Sequence, residues 1–318
     1  MLEDEDVIPP KKNYFVWLWY AGLFLVSFLI FFLFTFPYGV VKEAVVAEIS
    51  TSTGFNIRVN EIGPSFPIGV DAEDLKISTQ DALAQVEFRS ADVTLSVLPL
   101  LIGRVTFNIE IVSKNKGVLD ASVSFGLLQL ISQKDMVPSN LTLESKDFEL
   151  GPLMTLMLRE KSKTSNDMVK DLMTQIVFAG NLTGNAEIKL AASEPIQSTG
   201  SFDLQLKKAT FDLNNPNLVV ARQTFEKALI KGNLQGGKLT IDPNSAFNSQ
   251  ELKVAFKGNS ILRNPLESSV LDFGIGVKLE GTLKDSFGII MSVIGGNETG
   301  VNYTINGSIG RPNFQGSP

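Results

Sequence analysis

Residues 93–111 read VTLSVLPLLIGRVTFNIEI, and the alternation in this stretch decides the fold class. Val93, Leu95 and Val97 are apolar while Thr94 and Ser96 between them are polar, and Phe107, Ile109 and Ile111 alternate in the same way with Asn108 and Glu110. A two-residue period is that of a strand with one greasy and one wet face. Outward from here the period recurs in Ala186, Ile188 and Leu190, in Phe202, Leu204 and Leu206, in Leu252, Val254 and Phe256, in Ile275, Val277 and Leu279, and in Val301, Tyr303 and Ile305. Such strands belong to an antiparallel sheet. The pairs Gly180-Asn181, Gly184-Asn185, Gly232-Asn233, Gly236-Gly237, Gly258-Asn259 and Asn306-Gly307 tolerate the positive φ of tight hairpins, so they are read as the turns of a meander.

Helical spacing interrupts the sheet at few places. From Pro152 to Phe178 the chain carries Leu153, Met154, Leu156, Met157 and Leu158, a basic break from Arg159 to Lys163, then Met168, Val169, Leu172, Met173, Ile176 and Val177. This predicts a helical insert at about 150–178. Four of the seven methionines fall here, and covering an end or face of the sheet is the favoured reading over a contact with lipid or a partner. A second short helix is expected from Asp285 to Ile294, opened by an Asp-Ser cap.

The N-terminal part is of another kind. From Tyr14 to Phe36 no residue is charged, and 23 helical residues span about 34 Å, against roughly 30 Å of bilayer hydrocarbon. Tyr14, Trp17, Trp19 and Tyr20 cluster at the first end of this run, where amphipathic rings favour the headgroup level. Lys11 and Lys12 precede it and only Lys42 lies close after it, so the positive-inside bias leaves residues 1–12 in the cytoplasm and exports the remainder of the chain beyond the run. Phe34, Thr35, Phe36, Pro37 and Tyr38 come next instead of a small-x-small cleavage site, so residues 13–36 are read as an uncleaved transmembrane anchor. Pro37 then opens an amphipathic helix carrying Val40, Val41, Ala44, Val45 and Ile49 and ending near Gly54. The fold expected is mainly β: an N-terminal transmembrane helix followed by an extended, curved antiparallel sheet domain over 37–312 with a few short amphipathic helices, and a flexible tail over 313–318.

Composition excludes more than it identifies. The 318 residues contain no His and no Cys. That removes the commonest general base and metal ligand, thiolate nucleophiles and disulfides, and argues against an enzyme. A net charge of −6, with no long Lys/Arg run, lacks the footprint of nucleic-acid binding. Asp71, Glu73 and Asp74 cluster after a turn, and Glu144, Asp147 and Glu149 form a second acidic group. The first lacks the regular ligand spacing of a Ca²⁺ loop, the second supports no claim of an acid/base pair, and both read as solvated surface. Asn140, Asn181, Asn297, Asn302 and Asn306 head N-x-S/T triplets, which arise by chance in a Gly/Asn-rich hairpin protein. No cofactor, metal site or catalytic residue is expected.

Taken in order, the anchor, FPYGVVKEAVVAEIS, FNIRVNEIGPSFPIGVDAEDLKIS, VTLSVLPLLIGRVTFNIEI, the long run from Phe225 and the closing YTINGSIGRPNF resemble the type II secretion system protein N family over nearly the whole chain. A broader resemblance is to AsmA-like proteins of Gram-negative envelopes, carried by the anchor, by Leu98–Arg104 and by Gly307–Pro312. The first implies a single-pass inner-membrane accessory subunit whose periplasmic domain contacts other secretion-system subunits. The second implies a lipid-handling protein that binds phospholipid. They differ in what fills the greasy face: Phe202, Leu204, Leu206, Leu252, Val254 and Phe256 pack on protein in the first case and line an open apolar groove in the second. The accessory subunit is the leading expectation.

For the topology, alkaline phosphatase fused after Pro318 is expected to be active and a cytoplasmic reporter at the same place silent; an inactive phosphatase fusion overturns the orientation.

Overall fold

The computed structural model describes residues 54–132, 137–163, 167–214, 222–293 and 295–317, with isolated positions between 19 and 53. Its strands are β1 (Asn56–Arg58), β2 (Glu61–Ser65), β3 (Gly69–Ser78), β4 (Gln85–Ser96), β5 (Arg104–Ser113), β6 (Val118–Gly126), β7 (Asn140–Glu149), β8 (Ile176–Lys189), β9 (Thr199–Leu213), β10 (Gln223–Thr224), β11 (Lys227–Gln235), β12 (Lys238–Ile241), β13 (Ala246–Asn248), β14 (Leu252–Ile261), β15 (Val270–Leu279), β16 (Gly300–Ser308) and β17 (Arg311–Ser317). The α-helices beyond residue 54 are α1 (Val97–Leu100), α2 (Leu127–Ser132), α3 (Gly151–Ser162), α4 (Asp167–Gln175) and α5 (Gly281–Val293).

All 17 strands belong to one sheet, and every pairing is antiparallel. The order starts with β1 and β2 side by side along β3 and runs through β4, β5, β6, β7, β8 and β9. It continues through β10 and β11, then β12 and β13, to β14, β15, β16 and β17. Among the described residues no register joins β17 back to β2, so both edges are open.

Register shifts sit at Phe88/Ser90 in β4, at Ser145/Phe148 in β7 and at Ala179/Asn181 between β8 and β9. Asp147 and Lys208 beside two of these shifts adopt positive φ, 49° and 51°. An extra residue in one strand re-aims the next side chain and tightens the local twist. Here the result is that Phe88 and Phe148 rejoin the apolar face at the end of the sheet nearest α3. Their rings stack at 6.1 Å, and with Leu156 of α3, Val86 and Ala84 they form a buried cluster against which Phe55, Leu75 and Leu182 pack. At the same end α5 lays Leu283 and Phe287 on Leu213 and Leu279.

The helices are shifted from their expected bounds for local reasons. The insert at 150–178 divides into α3 and α4, and Ile176–Phe178 already belong to β8. Helix α5 begins at Gly281, ahead of Asp285, because its cap comes from elsewhere in the chain. The Glu251 carboxylate accepts hydrogen bonds from the Thr282 amide (3.1 Å), the Thr282 hydroxyl (2.7 Å) and the Leu283 amide (3.3 Å). This satisfies N–H groups that a helix start leaves without partners.

The glycines depart further from expectation. Of the pairs expected at turns, only Gly236-Gly237 makes a hairpin turn; Gly180, Gly184, Gly232, Gly258 and Gly307 lie inside strands. At Gly184 a Cβ would meet the Asp203 carbonyl oxygen across the ladder, and at Gly232 it would meet the Phe202 ring at 2.4 Å. These glycines make room for a close strand and an aromatic ring. The expected loose tail from Asn313 is also strand: β17 pairs along β16, with Ile305 opposite Phe314, and every residue of β17 is exposed. Among the described residues no helix is long and apolar enough to cross a membrane, and the expected anchor lies mostly outside them.

Phe148, 1% exposed, is covered on both sides, whereas Leu143 on the same strand and face is only half-buried. Urea unfolding is therefore expected to show a loss of about 3–5 kcal/mol for Phe148→Ala and only about 1 kcal/mol for Leu143→Ala; equal losses would mean that a second layer covers the middle of the sheet.

Candidate functional site

Residues directly opposite each other in neighbouring strands share a face, so the registers trace rows across the sheet. One row is apolar. It runs Pro64, Val70, Val93, Ile109, Ala121, Leu143, Ala186, Phe202, Gly232 and Ile241 from β2 to β12. On the same face β14 to β16 align Val254, Val277 and Val301, then Phe256, Ile275 and Tyr303. Phe247 of β13 stands opposite Val254 and makes an edge contact of 5.0 Å with Phe256. Of the β2–β12 row only Ala186 among the side chains is fully buried, and Val93 is 41% exposed.

The six residues named from the sequence sit on this face, with Phe202, Leu204 and Leu206 on β9 and Leu252, Val254 and Phe256 on β14. All six are half-buried. They do not touch as one patch, since β11, β12 and β13 run between the two strands. Leu252 alone of the six joins a buried cluster, the one under α5. Among the expected interfacial residues, Lys11, Lys12, Tyr14 and Trp17 lie outside the described residues, while Trp19 and Tyr20 are helical and each 68% exposed.

The opposite face carries a row that the sequence did not reveal. Asp71, Asp92, Glu110, Asp120 and Glu144 stand directly opposite one another on β3, β4, β5, β6 and β7. The row goes on through Asn185 and Asp203 to Lys231, where the Lys231 ammonium meets Asp203 at 2.6 Å. The two acidic groups seen in the sequence are thereby taken apart and one member of each is brought into the row. Asp71 and Glu144 join it; Asp147 bonds Lys207 and Thr183, and Glu149 accepts from Asn115. Among the described residues no group of Asp and Glu has the arrangement to hold a metal ion.

A cavity of about 400 Å³ opens over this row, lined by Asp92, Glu110, Asp120 and Glu144 with Thr94, Asn108, Ser122 and Thr142. Like charges placed directly opposite repel, and the repulsion adds to burial at Glu110 and Asp71. Burial raises the Glu110 carboxyl first, and the charges of Asp120 and Asp92 and a hydrogen bond with Asp120 raise it further. Asp71 is raised by burial and then by Asp92. Elsewhere the balance is reversed: Glu280, gripped by Lys253 (2.8 Å) and Lys278 (2.9 Å), is pushed down to about 2, chiefly by those hydrogen bonds.

No protein-family model, no curated protein and no solved structure matches this chain.

The carboxylate row gives a pH dependence of definite sign. A carboxyl whose pKa is raised by folding binds its proton more tightly in the native state, so its contribution to stability is present at low pH and is lost as pH rises through the folded value. Glu110→Gln is expected to raise the melting temperature by roughly 1–3 °C at pH 7, the size of one screened like-charge contact, and to leave it unchanged near pH 4. Melting curves at the two pH values check this; a variant less stable at pH 7 overturns the repulsive account.

Proposed function

We propose that this chain is a non-enzymatic, single-pass protein of the Gram-negative inner membrane whose periplasmic sheet lays phospholipid acyl chains along its apolar face. One observation carries the reading: an apolar row continues from β2 to β12 and resumes on β14 to β16, while the described helices bury apolar side chains only near one end of the strands. An apolar face of this extent is normally covered, and acyl chains are the covering that an anchored envelope protein has at hand. The anchor over 13–36 fits this, with its exposed Trp19 and Tyr20 at the headgroup level and Phe24, Phe28 and Phe31, which are more than half exposed, toward lipid. The likeness to AsmA-like proteins at Leu98–Arg104 and Gly307–Pro312 points the same way.

A second reading, an accessory subunit of a type II secretion system, is favoured by a different feature. Strand β17 is exposed along its whole length and is an open edge, onto which a partner strand can add. The scaffold would then use its edge and leave the face for its own packing.

A photo-crosslinking residue separates the two. Placed at Leu143, Leu204 or Ile275 in cells, it is expected to give adducts of phospholipid mass, while the same residue at Thr142 or Gln205 on the polar face gives none. Protein adducts from the apolar face without lipid adducts would overturn the acyl-chain reading, and protein adducts from Phe314 would favour the scaffold. The face also predicts mild mutants: Leu204→Asp is expected to remain folded and to lose lipid, since an uncovered position can hydrate its carboxylate.

A further inference from the structure

Four neighbouring strands reach the rim opposite α3 and α5 in a row of polar side chains. Thr106 of β5 stands opposite Ser124 of β6, Ser124 opposite Asn140 of β7, and Asn140 opposite Lys189 of β8. These residues lie on the polar face, since they alternate with Phe107, Val123, Leu141 and Ile188 of the apolar one. Glu110 of the carboxylate row is four positions further along β5, roughly 13 Å away. A second cavity, of about 440 Å³, opens over this row. Arg104 stands on its wall with Pro99 and Ile102 of the β4–β5 connection, and Leu190 and Gln197 close the other side. No carboxylate lines it, whereas the first cavity is lined by Asp92, Glu110, Asp120, Glu144 and Glu187.

Three groups here have hydrogen-bonding capacity that the described residues leave unused. The Thr106 and Ser124 hydroxyls, on residues 8% and 7% exposed, share one hydrogen bond of 2.8 Å. Whichever of them donates, the other keeps a proton for a further acceptor. Asn140 Oδ1 is buried and meets no donor, and a buried amide oxygen calls for one. Arg104 is exposed, and its side chain makes no ion pair or hydrogen bond among the described residues. The neighbouring groups are engaged: Glu187 holds the Lys189 ammonium at 2.8 Å, and the Gln197 amide nitrogen donates to Glu194.

We infer that this cavity binds a phosphorylated polyol, with Arg104 and the spare Thr106 or Ser124 proton on the phosphate and a ligand hydroxyl donating to Asn140 Oδ1. The three unused groups select that chemistry together. A guanidinium fork and a hydroxyl converging on one space suit the several oxygens of a phosphate. A neutral sugar would leave Arg104 without an anion, and inorganic phosphate has no carbon-borne hydroxyl to give Asn140. Pro99, Ile102 and Leu190 offer the carbon skeleton an apolar wall, and the volume falls in the range of small-molecule sites. A free polyol phosphate and the glycerol phosphate headgroup of a lipid share this chemistry. The cavity lies on the face opposite the apolar row, so the inference goes beyond the acyl-chain reading and does not depend on it.

The test titrates the full chain, in amine-oxide micelles and phosphate-free buffer, with glycerol 3-phosphate, inorganic phosphate, glycerol and dihexanoyl phosphatidylglycerol, followed by calorimetry. Glycerol 3-phosphate is expected to bind about tenfold more tightly than inorganic phosphate, and glycerol not at all. Binding of the short-chain lipid at least as tight as that of the free ester upholds the site with a headgroup as its source; weaker binding upholds it with a free phosphate. Arg104→Gln should weaken both phosphates by about tenfold, with melting unchanged because the side chain is exposed. Asn140→Leu should melt no lower than the wild type, since it removes an unpartnered buried amide, and should bring glycerol 3-phosphate down to the affinity of inorganic phosphate. No heat from either ester would mean that water alone fills the cavity and would overturn the inference. Equal binding of glycerol 3-phosphate and inorganic phosphate by the wild type, or undiminished binding by Arg104→Gln, would overturn it as well. The photo-crosslinks at Leu143, Leu204 and Ile275 report on the opposite face, so the two results can fail independently.

Discussion

Each strand of this meander must keep its apolar residues on the same face as those of its neighbour. Because side chains alternate with a period of two, a slip of one residue would turn a whole strand's apolar set to the wrong side. In a two-layer fold the second layer would punish such a slip; here, among the described residues, the row from Val70 to Ile241 is held by ladder registers over most of its course. The bulges at Phe88/Ser90 and Ser145/Phe148 show how the constraint is met near α3. Each inserts one residue so that Phe88 and Phe148 stay on the apolar side, where α3 can cover them. Gly232 meets the same constraint differently, by leaving space under the Phe202 ring.

The polar face is a consequence of that registration. Once the apolar residues are aligned, the residues between them are aligned too, and Asp71, Asp92, Glu110, Asp120 and Glu144 fall in line whether or not their charges suit one another. A sheet held by its apolar row tolerates the repulsion, since a screened like-charge contact costs less than turning a strand over. Lys231 closes the row at Asp203, and Lys146 takes one oxygen of Glu144 at 2.8 Å, so cations stand at its far members and not in the middle around Glu110.

How much of this was legible in the sequence depends on the range of the interaction. Alternation is local, and β5, β9 and β14 to β16 emerge from it, with the apolar side of each strand. The amphipathic stretches that became α3, α4 and α5 were visible for the same reason, although the cap of α5 was not, since Glu251 reaches it across a turn between segments. The carboxylate row was illegible because Asp71 and Glu144 are far apart in the chain and only pairing across four intervening ladders brings them into line. The glycines misled because Gly-Asn is permissive at a turn and equally permissive beneath a ring or against a close strand; the choice is made by the neighbouring strand. Helical periodicity likewise missed α1 and α2, which bury nothing and so leave no apolar stripe to detect.

The same range argument separates the two ends of the sheet in stability. Near α3 and α5, side chains from distant parts of the chain close on one another, and Phe148 and Leu283 are almost wholly removed from water. Opening that end breaks contacts between β4, β7, β8 and α3 at once, which makes it the cooperative end. At the opposite rim α1 and α2 contact little beyond their own strands, so these connections can open with small loss elsewhere. The stable end, by contrast, is the one from which the N-terminal segment leaves. The fold is thus tightest where Phe55 brings the chain onto the Phe148 cluster and loosest at the opposite end of the strands.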